Sequence, residues 1–165
     1  MEPKRGTFVV AHADEATAVL RDVEDSQVHT LAENPDLTAG EVVEATVEPA
    51  GPVGAAWTAE VDDRREVSVD RSDQPPTRQE FEVAADQPVG DLTRVERAGT
   101  GELHVITVPS GGVEDAVADV LDDETDLVAR AGRLGVARVE VRAAEVPAAD
   151  ADGEAHGVVS VRYLP

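Results

Sequence analysis

A chain of 165 residues can form one medium domain or two small ones; this one is 41% hydrophobic and 2% aromatic, with a formal net charge of −21 from 35 acidic and 14 basic residues. It has no cysteine, which excludes disulfides, thiolate nucleophiles and cysteine-bound metals. No apolar run approaches the ~18 residues of a membrane span, and an acidic field of this size disfavours a purely electrostatic grip on nucleic acid or an anionic membrane.

The core must be built from Val, Leu and Ala, which bury less area per side chain than aromatics do. Lys4 is the only lysine among the 14 basic residues. A lysine-poor, carboxylate-covered, Ala/Val-rich chain is the pattern expected in molar salt, where a Debye length of ~3 Å screens the acids from one another. The start, Met1-Glu2-Pro3-Lys4-Arg5-Gly6, is not followed by an apolar stretch of signal-peptide length, so the expected location is cytoplasmic.

Residues 6–69 read as short strands. Thr7–His12 and Ala18–Val23 are the first two. Glu24-Asp25-Ser26 makes a turn, and Gln27–Leu31 completes a hairpin with Gln27, His29 and Leu31 on one face and Val28 and Thr30 on the other. Asn34-Pro35-Asp36 and Ala39-Gly40 are breaks before Glu41–Val47. Trp57–Val61, continuing through Glu66-Val67-Ser68-Val69, is the fifth strand. Five short strands without a helix between them suggest a small all-β barrel, OB-like or SH3-like, over residues 1–69. The polar stretch 70–78, with Pro75-Pro76, is the expected linker.

From 79 to 165 the pattern becomes α+β. Thr77 caps a short helix carrying Phe81, Ala84 and Ala85, and Val89–Val95 is expected to add a helical turn or two. Leu103–Val108 is apolar on both faces, which suits a central strand. Ser110-Gly111-Gly112 opens a helix bearing Val113, Ala116, Val117, Val120 and Leu121. A second helix begins near Thr125 or Asp126, carries Leu127, Val128, Ala131 and Leu134, and stops at Gly135. Ala137–Arg142 and Val158–Leu164 are strands separated by an Ala/Asp/Pro-rich loop. The C-terminal half is thus a β-α-α-β-β layer with leading helical structure.

No P-loop, dinucleotide fingerprint, HExxH or GxSxG is present, and no catalytic residue, metal ligand or cofactor is assigned. The arginines are the main candidates for binding. Strand alternation puts Arg138, Arg142 and, on the last strand, Arg162 on one sheet face, with Arg130 and Arg133 on the preceding helix. Such a patch suits a phosphate backbone or an acidic partner; the competing reading is a cross-strand Arg–Glu ladder with Glu140. Trp57 would stack on a base if it faced outward, and would otherwise fill the barrel core. Backbone amides at Ser110, Gly111 and Gly112 could hold an anion at the helix start. His12, His29 and Asp14 could approach across adjacent strands as a metal site. The runs Asp62-Asp63 and Asp122-Asp123-Glu124 read as solvated surface.

Four phrases carry a resemblance: Gly6-Thr7-Phe8-Val9-Val10-Ala11-His12-Ala13-Asp14, Ala98-Gly99-Thr100-Gly101-Glu102-Leu103-His104-Val105, Arg133–Arg142, and the ending Val158–Pro165. Through them the chain resembles an uncharacterised haloarchaeal family, a domain of unknown function. That resemblance implies a salt-loving archaeal setting and carries no activity, ligand or catalytic residue. Together the features favour a non-enzymatic binding or adaptor protein, with RNA or the translation machinery as the first expected partner. A protein–protein scaffold or homo-oligomer comes second, and a metal-dependent enzyme third.

Overall fold

The computed structural model describes residues 2–51, 56–97, 99–148 and 154–165. The chain divides into two compact units: Met1–Ser68 with Thr125–Ala137, and Val69–Glu124 with Arg138–Pro165.

The first unit holds a closed five-stranded barrel in the order β1-β2-β3-β5-β4. Its strands are β1 (Lys4–Ala13), β2 (Ala18–Asp22), β3 (Val28–Leu31), β4 (Glu41–Pro49) and β5 (Trp57–Glu66). All pairings are antiparallel except β3 with β5. The long first strand closes the barrel because it pairs on both edges: Phe8 faces Asp22 of β2 and Val43 of β4. Register shifts at Val10/His12 and Glu44/Ala45 give β1 and β4–β5 the bends a small barrel needs. Alternate residues Phe8, Val10, Leu20, Leu31, Val43, Ala45 and Val47 fill the interior, with Leu37 beside them. The β2–β3 hairpin is as expected: His29 and Leu31 are buried, while Val28 and Thr30 are exposed, and Ser26 takes the left-handed conformation in the turn. Outside the barrel lies α3 (Glu124–Leu134). Gly132 lets this helix come close, since a Cβ there would stand 3.1 Å from Val42 Cγ1. Arg21 and Asp126 form an ion pair between β2 and α3.

The second unit is a five-stranded sheet ordered β6-β9-β10-β8-β7. Its strands are β6 (Ser68–Arg71), β7 (Leu92–Glu96), β8 (Glu102–Pro109), β9 (Arg138–Val146) and β10 (His156–Leu164), accompanied by α1 (Arg78–Ala85) and α2 (Val113–Asp122). Strand β10 is central and buried from Gly157 to Val161. Its neighbouring residues supply two cores: Val158 packs with Val105, Ala84 and Phe81 on the α1 side, and Val159 packs with Val108, Val141, Val113 and Val117 on the α2 side. β8 supplies Val105 to the α1-side core and Ile106 and Val108 to the α2-side core, which explains its apolar character on both faces.

Two stretches depart from the sequence expectation. Val89–Val95 is not helical: Gly90 turns the chain with φ 96°, and Leu92–Glu96 becomes β7. The deciding contacts are remote, with β7 pairing against β8 and the Gln87 amide donating to the carbonyls of Asp91 and Val105. Residues 68–71 do not prolong the fifth barrel strand but pair with β9 in the other sheet. The stretch expected as a linker therefore holds the end of β6 and the approach to α1, with the Ser72 amide donating to the Val141 carbonyl.

Candidate functional site

The polar side chains of the second unit gather around α1. Thr77 and Glu80 form a reciprocal capping box: the Glu80 amide donates to Thr77 Oγ1, and the Thr77 amide reaches Glu80 Oε2. Glu80 is fully buried. Its other oxygen accepts from Ser160 Oγ at 2.9 Å and lies 3.7 Å from Arg162 Nε, an ion-pair separation beyond hydrogen-bond reach. Arg162 Nη1 donates to Glu140 at 2.9 Å. Arg142 Nε donates to the same oxygen, and Arg138 approaches the other at 3.6 Å.

Arg138, Arg142 and Arg162 are thus brought together, around Glu140. Arg142 and Arg162 are largely buried, whereas the Arg138 side chain is 57% exposed. Burial opposes ionisation of Glu140, and the guanidiniums of Arg142 and Arg162 outweigh it, so its carboxyl sits below the ordinary range. The ladder ties α1 to β9 and β10 through charges that already satisfy one another. An external phosphate would have to displace a carboxylate that is in place.

Arg130 and Arg133 lie on α3, in the first unit. Trp57 is half-buried and packs against the barrel core, its ring edge-on to His29 with centroids 4.6 Å apart. Ser110-Gly111-Gly112 forms the turn into α2, and the Gly111 amide donates to both oxygens of Glu145 at 2.9 Å. The chain's own carboxylate sits at the place considered for an anion. His12 is exposed, 3.6 Å from Asp14, while His29 points into the barrel between Phe8 and Trp57. Among the described residues no three His, Asp or Glu side chains are grouped as metal ligands.

Sequence reasoning missed an apolar groove beside α1. It occupies about 750 Å³ and is lined by Pro76, Phe81, Ala85, Val146 and Pro147, with Arg78, Glu82, Glu145 and His156 around them. Phe81 and Ala85 stand one turn apart on α1 and so share a face; Arg78 and Glu82 do the same on the rim, joined at 3.1 Å. A smaller recess of about 320 Å³ adjoins it, sharing Ala85 and His156 and reaching Gln87 and Thr107. His156 Nδ1 lies 3.1 Å from the Glu154 carbonyl. A carbonyl only accepts, so Nδ1 carries the proton, and in the neutral ring Nε2 is left as an acceptor. That Nε2 is buried without a hydrogen-bond partner among the described residues. Among the described residues the arrangement offers an apolar floor, one acceptor nitrogen, two carboxylates and the Arg78 guanidinium, with no nucleophile–base pair.

The model of a family of unknown function, DUF5812, matches residues 4–143. The chain belongs to that family. The DUF5812 match spans the barrel, α1, β7, β8, α2 and α3 and ends within β9. It includes the first three phrases of the sequence resemblance and stops before the fourth. The α1 side of the groove lies inside the matched span, and Val146, Pro147 and His156 lie beyond it. No curated protein and no solved structure matches the chain. No helix among the described residues is long and apolar enough to cross a membrane.

Proposed function

We propose that this chain is a non-enzymatic binding protein of a salt-rich cytoplasm, and that the groove beside α1 receives an apolar side chain of a partner protein, flanked there by lysine or arginine. The carrying observation is the groove itself, apolar along Pro76, Phe81, Ala85, Val146 and Pro147, with Glu82 and Glu145 among its lining residues. Charge supports the same partner. The second unit holds 7 basic and 19 acidic residues, a net of −12, so cationic flanks are drawn to it. Molar salt leaves those charges little reach but strengthens rather than screens the burial of apolar area at ~25 cal/mol per Å². A salt-adapted binder would therefore rely on such a groove more than on an arginine patch.

A second reading rests on the strand order β1-β2-β3-β5-β4, the arrangement of an OB-type barrel, whose β2–β3 face and loops carry oligonucleotides in many proteins. It is a fold-level analogy.

Selection of displayed dodecapeptides in 2 M KCl distinguishes the two readings. The wild type should enrich peptides with an apolar residue between basic ones, and Ala85→Arg, which fills the groove from an exposed helix position, should enrich none. Ala118→Arg, on an exposed position of α2, should behave as wild type. Equal enrichment by wild type and Ala85→Arg rejects the groove. Retention of RNA oligonucleotides at the same salt by both proteins would favour the barrel instead.

A further inference from the structure

Among the described residues the sheet of the second unit ends at β7, which pairs only with β8. The Thr107 amide donates to the Asp91 carbonyl, and the Arg97 amide to the Gly101 carbonyl. In an antiparallel ladder this phase assigns the odd residues of β7 to β8 and turns the main-chain N–H and C=O groups of Leu92, Arg94 and Glu96 outward. All three side chains are open to solvent: Leu92 is 50% exposed, the Arg94 side chain is 55% exposed, and Glu96 is exposed.

Edge strands of natural proteins are commonly blunted by charged side chains, lysine above all, or by proline. This strand has two charges, of opposite sign, and neither lysine nor proline. Arg94 and Glu96 are opposite charges two residues apart on the same face, which is a self-complementary pattern. Glu96 also stands directly across from Glu102 of β8, a like-charge cross-strand pair. Arg94, 3.6 Å from Glu102, serves that carboxylate, and a further cation would suit Glu96.

We propose that two copies of this chain associate through antiparallel pairing of β7 with β7, in the register that sets Arg94 against Glu96 of the second copy. A two-fold axis between the two Val95 residues then generates two Arg–Glu pairs at once and joins the two sheets into one. The alternatives one step away are worse. Centring on Arg94 opposes two guanidiniums, and centring on Glu96 opposes two carboxylates. Charge complementarity therefore selects one register, and the outward main-chain groups supply its hydrogen bonds. This association is independent of the groove beside α1.

Light scattering across a concentration series, at the lowest KCl that keeps the chain folded, tests it. The wild type should form a dimer. Arg94→Glu and Glu96→Arg should each dimerise roughly tenfold or more weakly, since two attractive pairs become two repulsive ones. Mixed one to one, the two variants should recover a heterodimer of wild-type strength. One copy then presents two carboxylates along its edge and the other two guanidiniums, so both pairs across the axis are again of opposite sign. This recovery also shows that both variants fold. A monomeric wild type, or a dimer that persists in both single variants, overturns the proposal.

Discussion

His29 shows how a single residue sets a pH limit on the barrel. Its ring is 3% exposed, lies edge-on to Phe8 at 5.6 Å and to Trp57 at 4.6 Å, and has a buried Nδ1 without a hydrogen-bond partner among the described residues. Burial first, and the nearby Lys4 ammonium second, push its pKa below the ordinary 6.5, with Asp22 and Asp25 pulling the other way. A histidine with a lowered folded pKa binds its proton more readily when unfolded. Its contribution is therefore fully present above pH ~6.5 and is lost as pH falls from there through the folded pKa. Urea midpoints measured between pH 5 and pH 8 should fall on the acid side, and His29→Gln should flatten that part of the profile. An unchanged profile in the variant would place the acid sensitivity elsewhere, and not in Glu140, whose carboxyl is held below the ordinary 4.5 and gives up its contribution only at pH below ~4.5.

At the level of elements, the second unit depends on how α1 is attached to its sheet. This helix spans eight residues, too few to hold together alone in water. Glu80 supplies the attachment: it closes the capping box at the N-terminus of α1 and takes Ser160 and Arg162 from β10 with the same carboxylate. Glu80→Ala should cost roughly 3 kcal/mol, since a cap is lost and Arg162 loses one of its two carboxylate neighbours while staying buried. Glu80→Gln should cost less, because an amide oxygen can still accept from Ser160. Urea unfolding followed by far-UV circular dichroism checks the order of the two. If the alanine variant were no less stable than the glutamine variant, the ladder would not be holding α1. Thr77 was legible in the sequence as a helix cap, and the structure adds Glu80 as its capping-box partner. That the same glutamate would also meet β10, 80 residues away, was not legible there.

For the whole molecule the governing quantity is a net charge of −21. Intramolecular pairs absorb much of the positive charge: Lys4 holds Asp22 and Asp25, Arg64 holds Glu41, and Arg71 holds Glu114. The pairs with Asp25 and Glu114 lie at the surface, where each is worth ~0–1 kcal/mol and is weakened by salt, whereas Asp22 and Glu41 are themselves buried. Against them stands the repulsion among the excess carboxylates, which salt relieves as the Debye length falls from ~30 Å at 0.01 M to ~3 Å at 1 M. Because acids outnumber bases 35 to 14, relief of repulsion should win. The thermal midpoint should rise from 0.01 M to 1 M KCl and then level off. A midpoint independent of KCl across that range would mean that the acidic surface is not adapted to its solvent.

Local chemistry made part of this protein legible in advance. Alternating Val and Leu between turn residues marked the barrel strands, alternation after the 24–26 turn put His29 and Leu31 on one face, and Thr77 marked the start of α1. Alternation also put Arg138, Glu140 and Arg142 on one face of their strand. These features depend on neighbours within a few residues, where the period of the chain decides which way a side chain points. The rest required distant partners. β7 is a strand because β8 is there to pair with it, Ser68–Arg71 belongs to the second sheet because β9 is its neighbour, and α3 joins the barrel unit because Gly132 fits against Val23 and Val42. The groove exists only where α1 meets the ends of β9 and β10. Sequence alone determined the acid-rich composition and the local elements. The tertiary structure decided their partners and the surface left over, because hydrogen bonds and burial between remote segments are settled only when the chain closes on itself.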